Sequence, residues 1–242
     1  MFNISTIIKN PDIIYEMLLD GSLKKDYPEI FNLFGVPQNP TYHPEIDCGV
    51  HTVMALKQVE KYFTNEYFKQ FISLAILCHD FGKATTPKDI LPKHIGHEVR
   101  GVAIAEHFLE RVDFELTKQQ IKFVLNFVEH HTRLYGYTQA NVGTIVDTLV
   151  IFNTTSYFNE SVCAGMCDKM GRGWDDQSYK NAVDKNTKML RFWLSVQGDY
   201  IELINTTEYK KKFANKTYTH ACHNFVCSKM TSCIKATQAR YS

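Results

Sequence analysis

Apolar residues in this chain recur three and four positions apart and almost never alternate one for one, a habit that narrows its possible folds sharply. Val53, Leu56, Val59 and Phe63 form one such stripe, and Phe71, Leu74, Ala75 and Cys78 a second. Val102, Ala105, Phe108 and Leu109 form a third, followed by Ile121, Val124, Leu125 and Val128. Each stripe covers one face of a helix, whereas a half-buried strand needs a period of two. The sequence therefore predicts an all-α fold. Interruptions fall at residues 36–49, 82–97, 133–138 and 171–176, where proline and glycine stop helices or free the backbone.

With 242 residues, 44% hydrophobic and 22% charged, the chain can build one core and is too apolar for disorder. No repeat, low-complexity tract or long linker divides it. The expected architecture is a helical bundle over residues 1–176, with short N-terminal helices, and a helical C-terminal extension, 177–242, packed on the same domain. A net charge of +1 argues against a global field that would draw nucleic acid or an anionic membrane, so any phosphate recognition must be local. No apolar run approaches the roughly 18 residues that suggest a membrane span, and the first residues lack a signal-peptide pattern. Seven irregularly spaced cysteines fit reduced thiols, which together predicts a cytoplasmic location. No feature sets an oligomeric state.

The polar residues at the helix ends carry the chemistry. His51 opens a helix, His79-Asp80 closes one, His94 and His97 sit in a loop before another, His130-His131 closes a fourth, and Asp168 precedes Gly171-Arg172. A lone histidine is more often a satisfied structural residue than a ligand. Five such ends together imply a bundle whose polar termini converge on one cavity, where bundles build metal sites. Mixed imidazole and carboxylate donors suit Mn, Fe, Co, Ni or Zn, while Mg usually prefers oxygen and water. A bound cation would support hydrolysis of a phosphate ester, with Lys83 and Arg172 neutralising phosphate charge. No serine or cysteine nucleophile with a convincing base appears, and no glycine-rich phosphate loop.

These residues resemble the HD-domain metal-dependent phosphohydrolases, whose signature is a His, an adjacent His-Asp and a distant Asp, here His51, His79-Asp80 and Asp168. The stretches "LFGVPQNPTYHPEIDCGVHT", "LCHDFGKATTP", "LPKHIGHEVRG" and "GMCDKMGRGWDD" are most similar to the HD domain that follows the nucleotidyltransferase head in bacterial CCA-adding tRNA enzymes. The resemblance spans roughly residues 25 to 180. It implies an HD-type helical bundle and phosphohydrolase activity on phosphomonoesters or 2',3'-cyclic phosphates of nucleotides. No strand-rich head or paired-carboxylate polymerase motif precedes residue 25. CCA addition is therefore not expected, and stand-alone HD proteins of this size include deoxynucleoside 5'-monophosphatases.

By this resemblance His51, His79, Asp80 and Asp168 are the expected ligands of a divalent ion, whose identity stays open among Mg, Mn, Co, Ni and Fe. Lys83, His97 and Asp80 are expected to carry catalysis, and Lys83, His94, His97, His131 and Arg172 to bind substrate. The general acid is sought among His97, Glu98, His94 and His131. Neighbouring positions on a helix point about 100° apart, so only one of His130 and His131 can face the cavity, and His131 matches the family. Asp47 is read either as orienting His51 or as a helix cap, and Asp175 and Asp176 as a solvated turn or cap. Trp174 is the aromatic best placed to stack on a base. The tail from Glu208 to Ser242, with seven basic residues against one acid, reads as a solvated face, and its Cys and His residues as helix packing. The expected partner is a nucleotide, with nucleic acid less favoured and no membrane. The alternatives are a cyclic phosphodiesterase or 2'-phosphatase, and a metal- and nucleotide-binding module without turnover.

Overall fold

The computed structural model describes residues 3–213 and 217–242; Lys216, counted in the basic tail above, lies outside them. The described residues form thirteen α-helices and no strand, the only bridge being an isolated one between Pro37 and Asp47. Four short helices come first: α1 (Ile4–Lys9), α2 (Ile13–Leu19), α3 (Ser22–Asp26) and α4 (Pro28–Phe31). The central set is α5 (Cys48–Tyr62), α6 (Glu66–Cys78), α7 (His97–Leu109), α8 (Lys118–His130), α9 (Val142–Asn153) and α10 (Phe158–Met170). The chain ends with α11 (Asp176–Asn205), α12 (Thr207–Phe213) and α13 (His220–Tyr241).

Helix α6 is the axis. Phe71 through Cys78 are buried on every face, as a helix surrounded by others must be. Helices α5, α8 and α10 pack around it, burying Val53, Leu56 and Val59 from α5 and Phe123, Val124, Phe127 and Val128 from α8. Helix α8 starts on a capping box in which Thr117 and Gln120 satisfy each other's backbone donors, which pins its register. Helices α11 and α13 lie against α9 and α10, and the fully buried Trp193 of α11 donates its indole N–H to the Leu134 carbonyl at 2.9 Å.

Two glycines bring the polar ends together. Gly82 lies in a 3-10 turn (Phe81–Thr85) pressed against α7, where a Cβ would sit 1.9 Å from the His97 carbonyl oxygen. At Gly171 a Cβ would meet the Ala55 backbone of α5 at 2.3 Å. Larger residues would force apart the helix ends that carry His79, His97, His51 and Asp168.

Candidate metal centre

Four histidines meet at one end of the bundle, and the backbone decides which nitrogen each presents. The Nδ1 of His51 lies 3.0 Å from the Gly171 carbonyl, that of His79 2.6 Å from Ile76, and that of His97 2.8 Å from His94. The Nδ1 of His131 lies 3.1 Å from the Val128 carbonyl. A carbonyl oxygen can only accept, so every Nδ1 carries the proton and every Nε2 is left to face inward. For His79 and His131 the carbonyls are those a helix C-terminus leaves unpaired, so capping the helix also aims the ring.

These inward nitrogens face two carboxylates. His51 Nε2 lies 2.9 Å from Asp168 Oδ1, and His79 Nε2 lies 3.2 Å from Asp80 Oδ2 and 3.7 Å from Asp168 Oδ1. His97 and His131 approach Asp80 Oδ1 at 3.3 and 3.9 Å. Lys83 Nζ lies 2.7 Å from Asp80 Oδ2 and donates to Gln38 at 2.7 Å. Burial alone would raise both carboxyls, but His79 and Lys83 hold Asp80, and His79 and His51 hold Asp168, well below the usual carboxylate range. His51 is pushed up to about 9, because Asp168 and Glu45 outweigh the burial that opposes its charge. His131 moves the other way, to about 4, through burial and the neighbouring His79.

The loop before α5 supports this arrangement. Asp47 is the N-cap of α5, accepting from the Val50 amide at 2.9 Å and from the Gly35 amide at 2.6 Å, so it is a cap and does not orient His51. Glu45, two residues earlier, takes that place, its Oε1 lying 3.0 Å from His51 Nδ1 and 2.9 Å from His43 Nδ1. Its Oε2 accepts from the Gly173 amide at 3.0 Å, linking this loop to the turn after α10. Ile46, between the two acids, has φ of 65°, a strained value for a β-branched residue and one that tends to occur where a loop is held for function. Tyr135 donates its hydroxyl to Asp168 Oδ2. The sequence marks His43 and Glu45 only as part of the stretch that carries the family resemblance, and Gln38 and Tyr135 carry no assigned role there. All four lie in the loop and turn segments at residues 36–49 and 133–138, where no periodicity marks them; their only other signal is closeness to the breaks.

Other expected residues sit differently. His94 lines the adjoining cavity and also braces two loops at its mouth, its Nδ1 pairing with the Thr86 hydroxyl at 2.8 Å and its Nε2 with the Pro37 carbonyl at 3.0 Å. His97 is the first residue of α7 rather than part of a loop. His131 is buried in the site while His130 lies beside Glu129. Lys83 is buried against Asp80, and Arg172 is half-buried with its guanidinium donating to the Tyr42 carbonyl at 3.0 Å. Asp175 caps α11 by accepting from the Ser178 amide. In the tail, Cys222 is buried in α13 and meets the Tyr209 hydroxyl at 3.1 Å.

The donor set fits a divalent cation. His79 Nε2 and Asp80 Oδ1 are buried with no hydrogen-bond partner among the described residues, a costly state that a cation between them would relieve; Asp80 Oδ2 has the Lys83 ammonium beside it. The groups His51, His79, Asp168 and His79, Asp80, His131 each hold one donor atom apiece within 4.8 Å of the others. The centre opens into a cavity of about 190 Å³ lined by His97, Thr132, Tyr135 and Arg172.

Comparison with known proteins agrees with this geometry. Residues 49–153 match the HD domain family model, a span that holds His51, His79, Asp80, His97 and His131. Asp168 lies beyond it and is brought in by α10. The chain is 37% identical over 176 residues to the Multifunctional CCA protein of Acinetobacter baumannii (strain AYE), covering 71% of this chain and 41% of that protein. It is 37% identical over 177 residues to the Acinetobacter baylyi protein of the same name, with the same coverage. For that of Actinobacillus pleuropneumoniae serotype 5b the figures are 35% over 178 residues, 72% of this chain and 43% of that protein. The chain thus spans about two fifths of the length of these relatives. No solved structure matches. No helix among the described residues is long and apolar enough to cross a membrane.

Proposed function

Because this chain carries an HD domain, the mark of a metal-dependent phosphohydrolase family, we propose that it hydrolyses nucleotide phosphomonoesters, with nucleoside 5'-monophosphates as the preferred substrates. One observation carries the reading: four imidazoles, fixed by backbone carbonyls, aim their Nε2 atoms at two buried carboxylates. His51, His79, Asp80 and Asp168 would hold the ion. When bound, it supplies Lewis-acid polarisation of a phosphoryl oxygen and lowers the pKa of water.

The chain's own residues supply the rest. Lys83 and Arg172 line the cavity and balance the charge that builds on the phosphoryl oxygens as water adds to phosphorus. The bond from phosphorus to the sugar oxygen then breaks, and that oxygen needs a proton to leave as a hydroxyl. His97 is placed to give it: with Nδ1 held by the His94 carbonyl, any proton the ring takes up sits on Nε2, the atom that faces Asp80 in the centre. Tyr135 and Glu45 hold Asp168 and His51 in position. The adjoining cavity of about 350 Å³, lined by Gln38, Tyr42 and His43, gives room for a sugar and base.

The test is phosphate release from a panel of 5', 3', 2' and 2',3'-cyclic nucleotides with Mg, Mn, Co and Ni in turn. Metal-dependent release from 5'-monophosphates is expected. Preference for the cyclic or 2' esters would move the substrate assignment, and no turnover with any metal alongside retained nucleotide binding would make the protein a binding module.

A further inference from the structure

The cavity over the metal centre does not end at one nucleotide. It shares Lys83, His43, Tyr135 and Arg172 with the cavity of about 350 Å³, which in turn shares Tyr42, Lys169 and Arg172 with a third, of about 420 Å³. Trp174, Ser178, Asn181, Lys185 and Asn186 also line the third. Through these shared residues the three cavities adjoin one another, from the buried donors to the start of α11.

Their lining combines cations and aromatic faces. Lys169, Arg172 and Lys185 form no ion pair among the described residues. Six other described lysines do form ion pairs, Lys69 with Glu60 and Glu66 and Lys229 with Glu208 among them, so what marks this wall is that three unpaired cations share one cavity. Even Asp184, next to Lys185, lies with Lys188 at 3.6 Å instead. Tyr42 is 61% exposed at the junction of two cavities, so its ring is open to a base lying there. The Arg172 guanidinium lies 5.9 Å from the Trp174 ring centre, and the indole is held by donating to the Lys169 carbonyl.

Two buried polar atoms along this wall lack partners. Asn186 is 1% exposed and its carboxamide oxygen has no hydrogen bond among the described residues; the same holds for Arg172 Nε. Interleaved cations, aromatic rings and unspent polar groups are what a single-stranded nucleic acid needs, the cations following phosphates and the rings stacking on bases.

We propose that the outer cavity is a subsite for a second nucleotide, so that the centre accepts the phosphorylated end of a short single-stranded oligonucleotide. The terminal phosphate enters the metal centre, the next phosphodiester lies among Lys169, Arg172 and Lys185, and a base stacks at Tyr42 or Trp174. This rests on the phosphohydrolase reading for where the terminal phosphate goes.

Binding is measured on the whole chain freed of metal by chelation, so that no turnover is needed. The probes are a 5'-phosphorylated dinucleotide, the matching 5'-mononucleotide and ribose 1,5-bisphosphate. The dinucleotide is expected to bind about tenfold or more tightly than the mononucleotide at low salt, within what one stacked base and one phosphate supply. Lys185→Glu, at an exposed position that should tolerate the change, and Trp174→Ala should each collapse that ratio toward one. Equal affinities for the two nucleotides would overturn the proposal, as would an equal gain from ribose 1,5-bisphosphate, which carries a second phosphate but no base. Absence of phosphate release by the metal-loaded protein would remove the hydrolase reading alone, leaving the affinity ratio to decide the subsite.

Discussion

His51 Nε2 and Asp168 Oδ1 lie 2.9 Å apart although 117 residues separate them in the chain, and His51 is fully buried. Since Nδ1 of His51 already carries a proton for the Gly171 carbonyl, this approach requires either a second proton on Nε2 or a cation between the two groups. In the metal-free protein the proton is the answer, for His51 is pushed up to about 9.

Metal binding must therefore release that proton. With a metal-free value above neutral, His51 is charged at pH 7, and a ligand nitrogen must be neutral. Titration calorimetry in buffers of different ionisation enthalpy should show about one proton released per ion bound at pH 7. Affinity should rise nearly tenfold per pH unit from pH 7 until the His51 value is reached, and then level off. Binding at pH 7 with no proton release would contradict this placement of His51.

Glu45 shares the His51 Nδ1 proton and ties the loop to the Gly173 amide. Glu45→Ala should leave the helices folded by circular dichroism and lower metal affinity about 10- to 100-fold, the usual effect of losing an outer partner of a ligating histidine. Asp47→Ala, by contrast, removes a helix cap and should lower stability by about 1 kcal/mol.

Gly82→Ala places a methyl against the His97 carbonyl, a backbone atom that cannot swing aside. Urea unfolding should show a loss of at least about 1–3 kcal/mol, the range for overpacking a tight contact. Gly136→Ala is the control, because a Cβ there meets nothing within 4 Å.

Trp193→Ala should cost about 3–5 kcal/mol, from the cavity it leaves among fully buried neighbours and the lost bond to Leu134. If α11 folds as one unit with the central helices, the variant will still unfold in a single transition by both far-ultraviolet dichroism and tyrosine fluorescence. A separate early transition would mark the C-terminal helices as independent.

The helices were readable because their burial is periodic: Val53, Leu56 and Val59 advertise their face, and Phe71 to Cys78 advertise a helix buried all round. His79-Asp80 was visible because charged groups at the end of such a run demand a partner. Asp168 had a weaker local signal, the Gly171-Arg172 that follows it, and its role as a ligand came from resemblance. Gln38 and Tyr135, and the contact of Glu45 with His51, were hidden because these residues reach the centre from irregular segments, where position depends on tertiary contacts that no spacing encodes. The bracing role of His94 could not be read from its neighbourhood, because the Thr86 hydroxyl and the Pro37 carbonyl that meet its nitrogens are brought there by the fold.

The central claim is that Asp80, with His51, His79 and Asp168, holds the ion on which phosphate hydrolysis depends. Its most direct test is to titrate Mn into chelated wild-type protein and into Asp80→Asn while following phosphate release from a deoxynucleoside 5'-monophosphate. The wild type should gain activity in step with bound metal and lose it again on chelation. Asp80→Asn should stay folded with turnover lower by more than about 100-fold, beyond what loss of an outer-shell partner alone causes. Comparable rates in the two proteins, or full activity without metal, would contradict the account.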